Sequence, residues 1–505
     1  MTTTTKTSPT PFPLRSDSPR YFPIEVNPFK LFAPHCLDSY KLGHRAQYTK
    51  GTEYVLSNFT ARNLKYLNLP KKYDEGIVVW AGIQGTTREL VNLWEETFFS
   101  QPKEEVIAKF AARTPAFASD DKVPYTAHLE ALHDLQYLPI RIKSLKEGSK
   151  VNIGIPLYTI VNTLPDFYWL TNALETWLSN ESWKFPTVAT IAYTYRKILE
   201  DFAEQTGSPK EFVDWQGHCF ADRGMSGMAD AAKNCAAHLI SFKGSDSVSS
   251  FDWLDYYYKG AETFLGGSVN ATEHSVMCLD GQDNELETIR RIIGEVHDTG
   301  IVSFVADSWD FWKVVTEYMP ALKETILGRK FNSIGLSKTT VRPDSGNPAD
   351  IICGKPIKDF SNCKDLEAAK AWAADYFTGV ETDATEFGRK GQDSISEKFK
   401  YKEEYYGILI NIHWGNQDRD YYCMVAYDVV SCEPCELSPE DKGAIQCLWE
   451  TFGGTETDKG FKVLSDRVGL IYGDSITLDR CIDILQRLKD KGFASCNVVL
   501  GIGLK

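Results

Sequence analysis

The sequence predicts a mixed α/β protein that contains a parallel sheet or a βα barrel together with a second, β-rich region. Two observations support this fold class. In the second half of the chain, short apolar runs alternate with amphipathic stretches, which is typical of a parallel sheet or barrel. In the first third, apolar and polar residues alternate, which is typical of half-buried strands. A chain of 505 residues is also too long for one simple core, so we expect two to three domains.

The N-terminal part predicts a tail followed by strands and helices. Residues 1–30 are rich in Thr, Ser and Pro and lack the apolar core of a secretory signal, so a disordered tail is expected, with a weak organelle-targeting signal left open. We expect four divisions of the chain: a disordered tail at 1–30, a β-rich domain with helices at 31–185, a barrel domain at 186–505, and a subdomain inserted into that barrel at 351–460.

Within the first domain, strands are predicted in TEYVLSNFT (52–60), in GIVVWAGI (76–83) and across 138–163. Helices are predicted between them at 84–135. The residues DFYWLTNALETWLSN place apolar side chains at helical spacing, and we interpret their aromatic rings as core packing.

The barrel is predicted from buried strands that alternate with helices, and each strand ends in chemically active or small residues. In a βα barrel the functional residues lie where the strands end. A solvated turn would explain each strand end alone, but it explains the set poorly. These strands are IVSFVAD, TTVRPD, VGLIYGD and NVVLGIG, and their ends carry Asp307, Arg342 with Asp344, Gly473 with Asp474, and Gly501 with Gly503.

Composition limits the function. The net charge of −14 argues against a nucleic-acid binder that relies on global charge, and no apolar run is long enough to span a bilayer. Twelve scattered Cys suit a reducing compartment, so we expect a cytoplasmic protein. The pair Cys432 and Cys435 forms a CxxC motif, but a zinc site needs a matched second pair, so we interpret these as ordinary thiols.

The segment VRPDSGNP (341–348) is the most informative motif. The Arg342 guanidinium can donate two parallel hydrogen bonds to one phosphate. Asp344 can accept ribose hydroxyls or a metal-bound water, and the following glycine lets the backbone approach a ligand closely. An ordinary Pro-Asp-Ser-Gly turn is the alternative. The motif therefore favours a phosphorylated sugar as ligand only if other segments of the sequence indicate the same function.

Those other segments carry a resemblance to a known family. They are DSYK (38–41), YWLTNALE (168–175), PTVAT (186–190), HCFADRG (218–224), KGSDSV (243–248), NATEHSV (270–276), RPDSGNP and IYGDSIT. In this order the set resembles the nicotinamide phosphoribosyltransferase family, one of the type II phosphoribosyltransferases, over about residues 38–503. The resemblance implies transfer of phosphoribose from phosphoribosyl pyrophosphate to nicotinamide in NAD salvage. The fold it implies is an irregular βα barrel with a second, β-rich α+β domain. It also implies a homodimer with shared active sites, Mg²⁺ bound through pyrophosphate, and ATP as an activator.

Residue roles follow from the resemblance. A flat pyridine would stack on Phe220 and on Tyr40 from the partner subunit. Arg223 would donate to the carboxamide oxygen or to phosphate. Asp246 would accept the carboxamide N–H and repel nicotinate, the acid analogue. The alternatives are a core aromatic for Phe220 and a helix N-cap for Asp246.

The remaining roles concern phosphoribosyl pyrophosphate. His274 would be the histidine that is phosphorylated by ATP, whereas His218 and His238 are interpreted as hydrogen-bonded structural histidines. Carboxylates would face the cationic ribose, and cations and backbone amides would hold the phosphates. The residues implied are Asp344, Asp474 and Asp307 for the ribose, and Arg342, Gly473, Gly503 and, across the dimer, Arg62 for the phosphates.

The chain also departs from the family pattern. Cys219 and Asp222 stand where the family has an acid and a tyrosine, so the amide pocket is expected to be altered. The sequence stops just after GIG, so we expect the family's C-terminal segment to be missing. Two alternatives therefore stay open: a truncated, non-catalytic nucleotide-binding or regulatory homologue, and a phosphoribosyltransferase for nicotinate or another pyridine. A glycosidase barrel also uses strand-end acids, but it has no need for Arg342.

Overall fold

The computed structural model describes residues 30–117, 126–381, 394–418, 421–473 and 476–503. The tail expected at 1–30 thus lies outside the described residues except for Lys30. Two compact units are present. The first comprises Met1–Leu56, Glu89–Arg141 and Val161–Leu178, and the second comprises Ser57–Arg88, Ile142–Ile160 and Ser179–Lys505. The domain boundaries expected from the sequence stay a prediction.

Strands are numbered in chain order within the described residues. They are β1 (Leu56–Thr60), β2 (Ile77–Trp80), β3 (Ile140–Ser144), β4 (Ser149–Asn152), β5 (Pro156–Asn162), β6 (Gly217–Cys219), β7 (Gly244–Ser245), β8 (Asn270–Ala271), β9 (Gly300–Val305), β10 (Ser337–Arg342), β11 (Lys358–Asp359), β12 (Ser394–Tyr401), β13 (Glu404–Asp418), β14 (Tyr421–Pro434), β15 (Gly454–Glu456), β16 (Lys462–Leu464), β17 (Val468–Tyr472) and β18 (Val498–Ile502).

The helices of the described residues vary from single turns to six turns. Those of seven residues or more are Lys41–Gln47, Ile83–Trp94, Lys103–Arg113, Ala127–Leu135, Glu175–Ser182, Lys184–Thr206, Met228–His238, Val248–Tyr258, Glu285–Arg291, Leu366–Glu381, Ala444–Phe452 and Leu478–Asp490.

A seven-stranded sheet forms the main layer of the second unit. Its strand order is β7-β6-β18-β17-β10-β9-β8, every neighbouring pair is parallel, and the sheet curls into a half barrel. The four strands β18, β17, β10 and β9 are largely buried, and three of them are mainly apolar, whereas β10 buries Ser and Thr side chains with one Val. The predicted fold class, a βα barrel with further β-rich structure, is confirmed.

The core of this unit lies between the sheet and its helices. Phe304 of β9 and Leu470 of β17 are buried in one continuous cluster with residues from the covering helices. The Leu478–Asp490 helix contributes five buried residues at spacings of three and four, which is one apolar face. Thr477 caps that helix, because its side-chain oxygen accepts a hydrogen bond from the Arg480 amide.

Three of the smaller sheets lie largely in the second unit. The sheet β1-β5-β3 and the pair β2-β4 enclose Trp80, whose side chain is fully buried, and the rings of Phe59 and Tyr158 stack with centroids 5.2 Å apart. The sheet β11-β12-β13-β14 has a separate hydrophobic cluster, in which Phe399 packs against the Leu366–Glu381 helix. The predicted insertion therefore contains a folded sheet with its own core.

The first unit is helical and rich in buried aromatic residues. Phe98, Phe110 and Trp169 are buried there, and the Phe98 ring meets His133 edge to face. Leu129 and other apolar residues of the Ala127–Leu135 helix complete the packing. Among the described helices of the whole chain, none combines the length and the apolar character needed to cross a membrane.

Replacing Phe304 with alanine should lower the free energy of unfolding by about 3–5 kcal/mol, because the change leaves a cavity in the core beneath the sheet. Urea denaturation followed by circular dichroism measures this loss. Phe264→Ala is the matched control, since that side chain is 72% exposed and its removal should change stability by less than about 0.5 kcal/mol. Equal losses in the two variants would contradict the assignment of the core.

Candidate active site

The strand ends of the parallel sheet bring together most of the residues singled out in the sequence. Because all seven strands are parallel, their carboxyl ends share one edge of the sheet. In sheet order from β7 to β8, the residues at or just after the strand ends are Asp246, Phe220, Gly503, Gly473, Arg342, Asp307 and His274. Residues that are far apart in the chain thus form one row along this edge.

Asp307 links two neighbouring strand ends. Its Oδ2 atom accepts a hydrogen bond from the backbone N–H of Asp344 at 3.0 Å and one from the Ser345 hydroxyl at 2.6 Å. The carboxylate of Asp344 in turn lies against Gly473, where a Cβ atom would come within 2.6 Å of Asp344 Oδ1. Glycine at this position therefore allows the acid to approach the end of β17 closely.

The loop after β10 is held in place by side chains around it. The Tyr472 hydroxyl hydrogen-bonds to the carbonyl oxygens of Ser345 and Gly346, at 2.9 and 3.0 Å. Gly346 has a φ of +86°, a conformation that favours glycine. Asn347 then caps the following helix by accepting from the amide of Ala349. The motif identified in the sequence is thus a fixed loop between a strand and a helix.

Arg342 is the last residue of β10. Its Nε atom is buried and has no hydrogen-bond partner among the described residues. The aliphatic part of the side chain lies near Gly473, with Cδ 3.5 Å from the position that a Cβ would take there. Since buried polar atoms normally have partners, the guanidinium is available to a bound anion.

Phe220 lies at the other end of the row, just after β6. Its backbone N–H donates to the Ile502 carbonyl at 3.1 Å, and its ring is 4.8 Å from the ring of His218. A Cβ atom on Gly501 would lie 2.5 Å from the Phe220 ring and 2.8 Å from the Tyr472 carbonyl oxygen. The absence of a side chain at 501 therefore makes room for the ring.

Asp246 is fixed by hydrogen bonds from two side chains. His218 Nε2 lies 2.8 Å from Asp246 Oδ1, and the Ser268 hydroxyl donates to the same oxygen. Burial alone would raise the pKa of this carboxyl, but the hydrogen bonds from His218 and Ser268 and the positive charge of Arg342 together hold it below its usual value. The side chain is therefore a carboxylate at neutral pH.

Sequence reasoning missed two of these residues. The sequence indicates only a hydrogen-bonded structural histidine at His218; it is hydrogen-bonded and buried, but its partner is the candidate site residue Asp246. Ser268 carries no motif that singles it out. Its position follows from a parallel bridge between Gly244 and Gly267, which the local sequence does not reveal.

His274 begins a short helix after β8 and is half exposed. Its Nε2 atom lies 3.4 Å from Asp307 Oδ1, an oxygen that is buried and makes no hydrogen bond within the described residues. The preceding segment is tied to β9, because the Thr272 hydroxyl accepts from the Val305 amide at 2.9 Å. A half-exposed histidine thus faces a carboxylate with a free oxygen.

The structure does not place the other predicted residues in this row. Arg62 and Arg223 are exposed, and no side-chain contact joins either of them to the residues above within the described chain. Tyr40 lies in the first unit and is 61% exposed. A Cβ atom added at Gly503 would meet no described atom within 4 Å, and Asp474 lies outside the described residues. Their roles stay predictions.

The two departures from the family pattern, Cys219 and Asp222, both interact with Cys235. Cys219 is buried, and the Cys235 thiol donates to Asp222 Oδ1 at 3.3 Å. Asp222 thus has a hydrogen-bond partner within the described chain.

The fold and the strand-end groups together define an α/β half-barrel protein with groups suited to an anionic ligand at one edge of its sheet. A model of the nicotinate phosphoribosyltransferase (NAPRTase) family matches residues 215–392 and 409–505, more than half of the chain. A nicotinamide phosphoribosyltransferase of Acinetobacter baylyi is 42% identical over 476 residues, which cover 94% of this chain and 79% of that protein. The chain belongs to the nicotinate phosphoribosyltransferase family, and the resemblance found in the sequence is confirmed.

Two further relatives are more distant. A nicotinamide phosphoribosyltransferase of Mycoplasma pneumoniae is 28% identical over 514 residues, 95% of this chain and 86% of that protein. Among solved structures, human nicotinic acid phosphoribosyltransferase has a TM-score of 0.46 and 14% identity over 92% of this chain and 72% of its own.

Replacing Gly501 with alanine should lower the free energy of unfolding by about 1–3 kcal/mol, because the new methyl group would overlap the Phe220 ring and the Tyr472 carbonyl. Gly503→Ala is the matched control two residues later, where a Cβ meets no described atom within 4 Å. Urea denaturation of both variants measures the difference. If Gly501→Ala is as stable as Gly503→Ala, the close approach of Phe220 to β18 is wrong.

Proposed function

We propose that the protein transfers phosphoribose from phosphoribosyl pyrophosphate to the ring nitrogen of nicotinamide, giving nicotinamide mononucleotide and pyrophosphate. One observation carries the proposal: along the sheet edge, Asp246 and Phe220 stand at one end, Arg342 and Asp344 further along, and Asp307 with His274 at the other end. This order matches a flat amide, a sugar phosphate and a pyrophosphate. From β6 to β10 the row spans three strand spacings, roughly 14 Å.

Recognition of the pyridine falls to Phe220 and Asp246. The Phe220 ring offers a face for an electron-poor ring. Asp246 accepts an N–H of the carboxamide, and its charge repels the carboxylate of nicotinate. His218 and Ser268 hold Asp246 in one orientation, so the acceptor is fixed before the substrate arrives.

The chemical step needs positioning and charge stabilisation. Positive charge develops on the ribose as pyrophosphate leaves, and the incoming pyridine nitrogen has no proton to lose, so no general base is required. The backbone amide of Asp344 donates a hydrogen bond to Asp307, which holds Asp344 in place. Its carboxylate suits the cationic ribose or the ribose hydroxyls. Arg342, with its unpartnered Nε in the described chain, suits the 5′-phosphate. We assign Asp474 to the same ribose region by family resemblance.

Magnesium and ATP are further parts of the proposal. Among the described residues no group of three or more His, Cys, Asp and Glu could hold a metal by itself. The unpartnered Oδ1 atom of Asp307 nevertheless fits a Mg²⁺ ion that keeps its waters and substrate oxygens as ligands. Such an ion would neutralise charge on pyrophosphate. We assign His274 as the residue that ATP phosphorylates, because its ring is half exposed beside Asp307.

Residues from a second subunit would complete the site. We propose a homodimer in which Tyr40 covers the pyridine and Arg62 reaches the pyrophosphate of the partner's site. The exposure of both side chains is consistent with such roles. We also propose a cytoplasmic location, which is supported by the free cysteines of the described chain.

The activity test is incubation of the full-length protein with phosphoribosyl pyrophosphate and Mg²⁺, with either nicotinamide or nicotinate, and with or without ATP. Chromatographic detection of nicotinamide mononucleotide supports the proposal, and faster formation with ATP supports the role of His274. Preferential formation of the nicotinate product would favour the acid substrate named by the family model. Binding of the mononucleotide without any turnover would favour a regulatory homologue.

Asp246→Asn should lower the ratio of kcat/KM for nicotinamide over nicotinate by roughly 10- to 100-fold, because the substitution removes the charge that repels the acid. Steady-state kinetics with both pyridines measure the ratio. Asp252→Asn, at an exposed carboxylate on the Val248–Tyr258 helix, should leave the ratio unchanged. An active Asp246→Asn enzyme with unaltered selectivity removes Asp246 from this role.

Arg342→Ala should raise the Kd for nicotinamide mononucleotide by roughly 10- to 100-fold, because a charge-assisted contact to the phosphate is lost. Isothermal titration calorimetry measures the constant. The control is Arg290→Ala, which removes a partly exposed arginine paired with Glu287 and should bind normally. Unchanged binding by Arg342→Ala would show that the phosphate lies elsewhere.

A further inference from the structure

The first unit contains a small cavity. All of its lining residues belong to that unit, and none of them is a residue of the strand-end row. The cavity is enclosed by the Lys41–Gln47, Lys103–Arg113 and Ala127–Leu135 helices and by residues 169–173. Its volume of about 40 Å³ accommodates roughly three water molecules. Phe110 and Leu129 line the cavity with apolar side chains. A polar atom in the cavity therefore has few hydrogen-bond partners other than a bound molecule.

Two buried nitrogens in this cavity lack partners within the described chain. Trp169 is only 7% exposed, and its Nε1–H meets no acceptor among the described residues. His128 Nδ1 is buried in the same way. The two rings are perpendicular, with centroids 4.6 Å apart, and neither nitrogen satisfies the other. Because buried polar atoms nearly always have a partner, these two indicate a guest with hydrogen-bonding atoms.

The cavity is cationic. Lys41 and Arg45 are four residues apart on one helix and line the same face. Lys41 is paired with Glu175 at 2.6 Å, whereas no ion pair of the Arg45 side chain occurs within the described residues. No Asp or Glu lines the cavity in that part of the chain. Burial, and then the charge of Arg45, lower the pKa of His128 to about 4, so this ring is neutral at pH 7.

We propose that this cavity binds a small oxyanion, a phosphate or a carboxylate, through the Arg45 guanidinium and the Trp169 indole N–H. The guanidinium presents a fork that matches two oxygens of one anion. The indole N–H donates to a further oxygen, and the neutral imidazole of His128 adds a second uncharged hydrogen-bonding group. The site does not depend on the reaction proposed above, because every residue that forms it lies in the first unit.

The test uses the full-length protein with Arg342→Ala, so that binding of inorganic phosphate at the strand-end row is weakened. The unfolding temperature is measured against inorganic phosphate at constant ionic strength, and a parallel titration uses acetate. We expect a saturable rise in Tm in this background. The titration with the lower Kd identifies phosphate or carboxylate as the preferred guest.

Arg45→Met, added to the same background, should raise the Kd about tenfold or more, because one charge-assisted interaction is lost. Arg45 is exposed, so the variant should fold normally, and its Tm without added anion checks this. Trp169→Phe should also weaken binding while keeping an aromatic ring. Arg113→Met, an exposed arginine outside the cavity, is the matched control. Equal affinities in Arg45→Met and Arg113→Met, or no saturable stabilisation by either anion, would overturn the proposal.

Discussion

The hydrogen bonds accepted by Asp307 join the ends of two adjacent strands, and the rest of the site depends on this connection. One carboxylate oxygen takes both the Asp344 amide and the Ser345 hydroxyl, which fixes the loop after β10 against the end of β9. The other oxygen has no hydrogen bond in the described chain and faces His274. The arrangement is possible because parallel pairing of β9 with β10 brings Val305 opposite Arg342, so the residues that follow emerge side by side.

The strands that a sequence reveals are those with long apolar runs. β9, β17 and β18 are predictable from such runs, and β10 from its β-branched residues Thr339, Thr340 and Val341. The structure places these four strands next to one another. β6, β7 and β8 contain only two or three residues each, too few for any periodicity to be detected. Yet Phe220 and Asp246 follow two of these short strands, so only motif resemblance locates them.

The candidate site is predictable in its residue types but not in its supporting contacts. Arg342, Asp344 and Asp307 can be found because each lies at, or within two residues of, the end of a predictable strand. The contact of Ser268 with Asp246 cannot be found, since it depends on which distant segment lies beside β7. The same holds for Gly501, whose importance comes from the Phe220 ring on a neighbouring strand. The local sequence does not reveal which distant segments of the chain lie close together.

The antiparallel sheet β11–β14 has a hydrophobic cluster that shares no residue with the cluster beneath the parallel sheet. Loss of packing around Phe399 therefore need not disturb the packing around Phe304. Cooperative units of a protein open with different free energies, and separate clusters are where such units divide. Amide protons of β12 and β13 can thus exchange with solvent by an opening that leaves the strand ends of the parallel sheet intact.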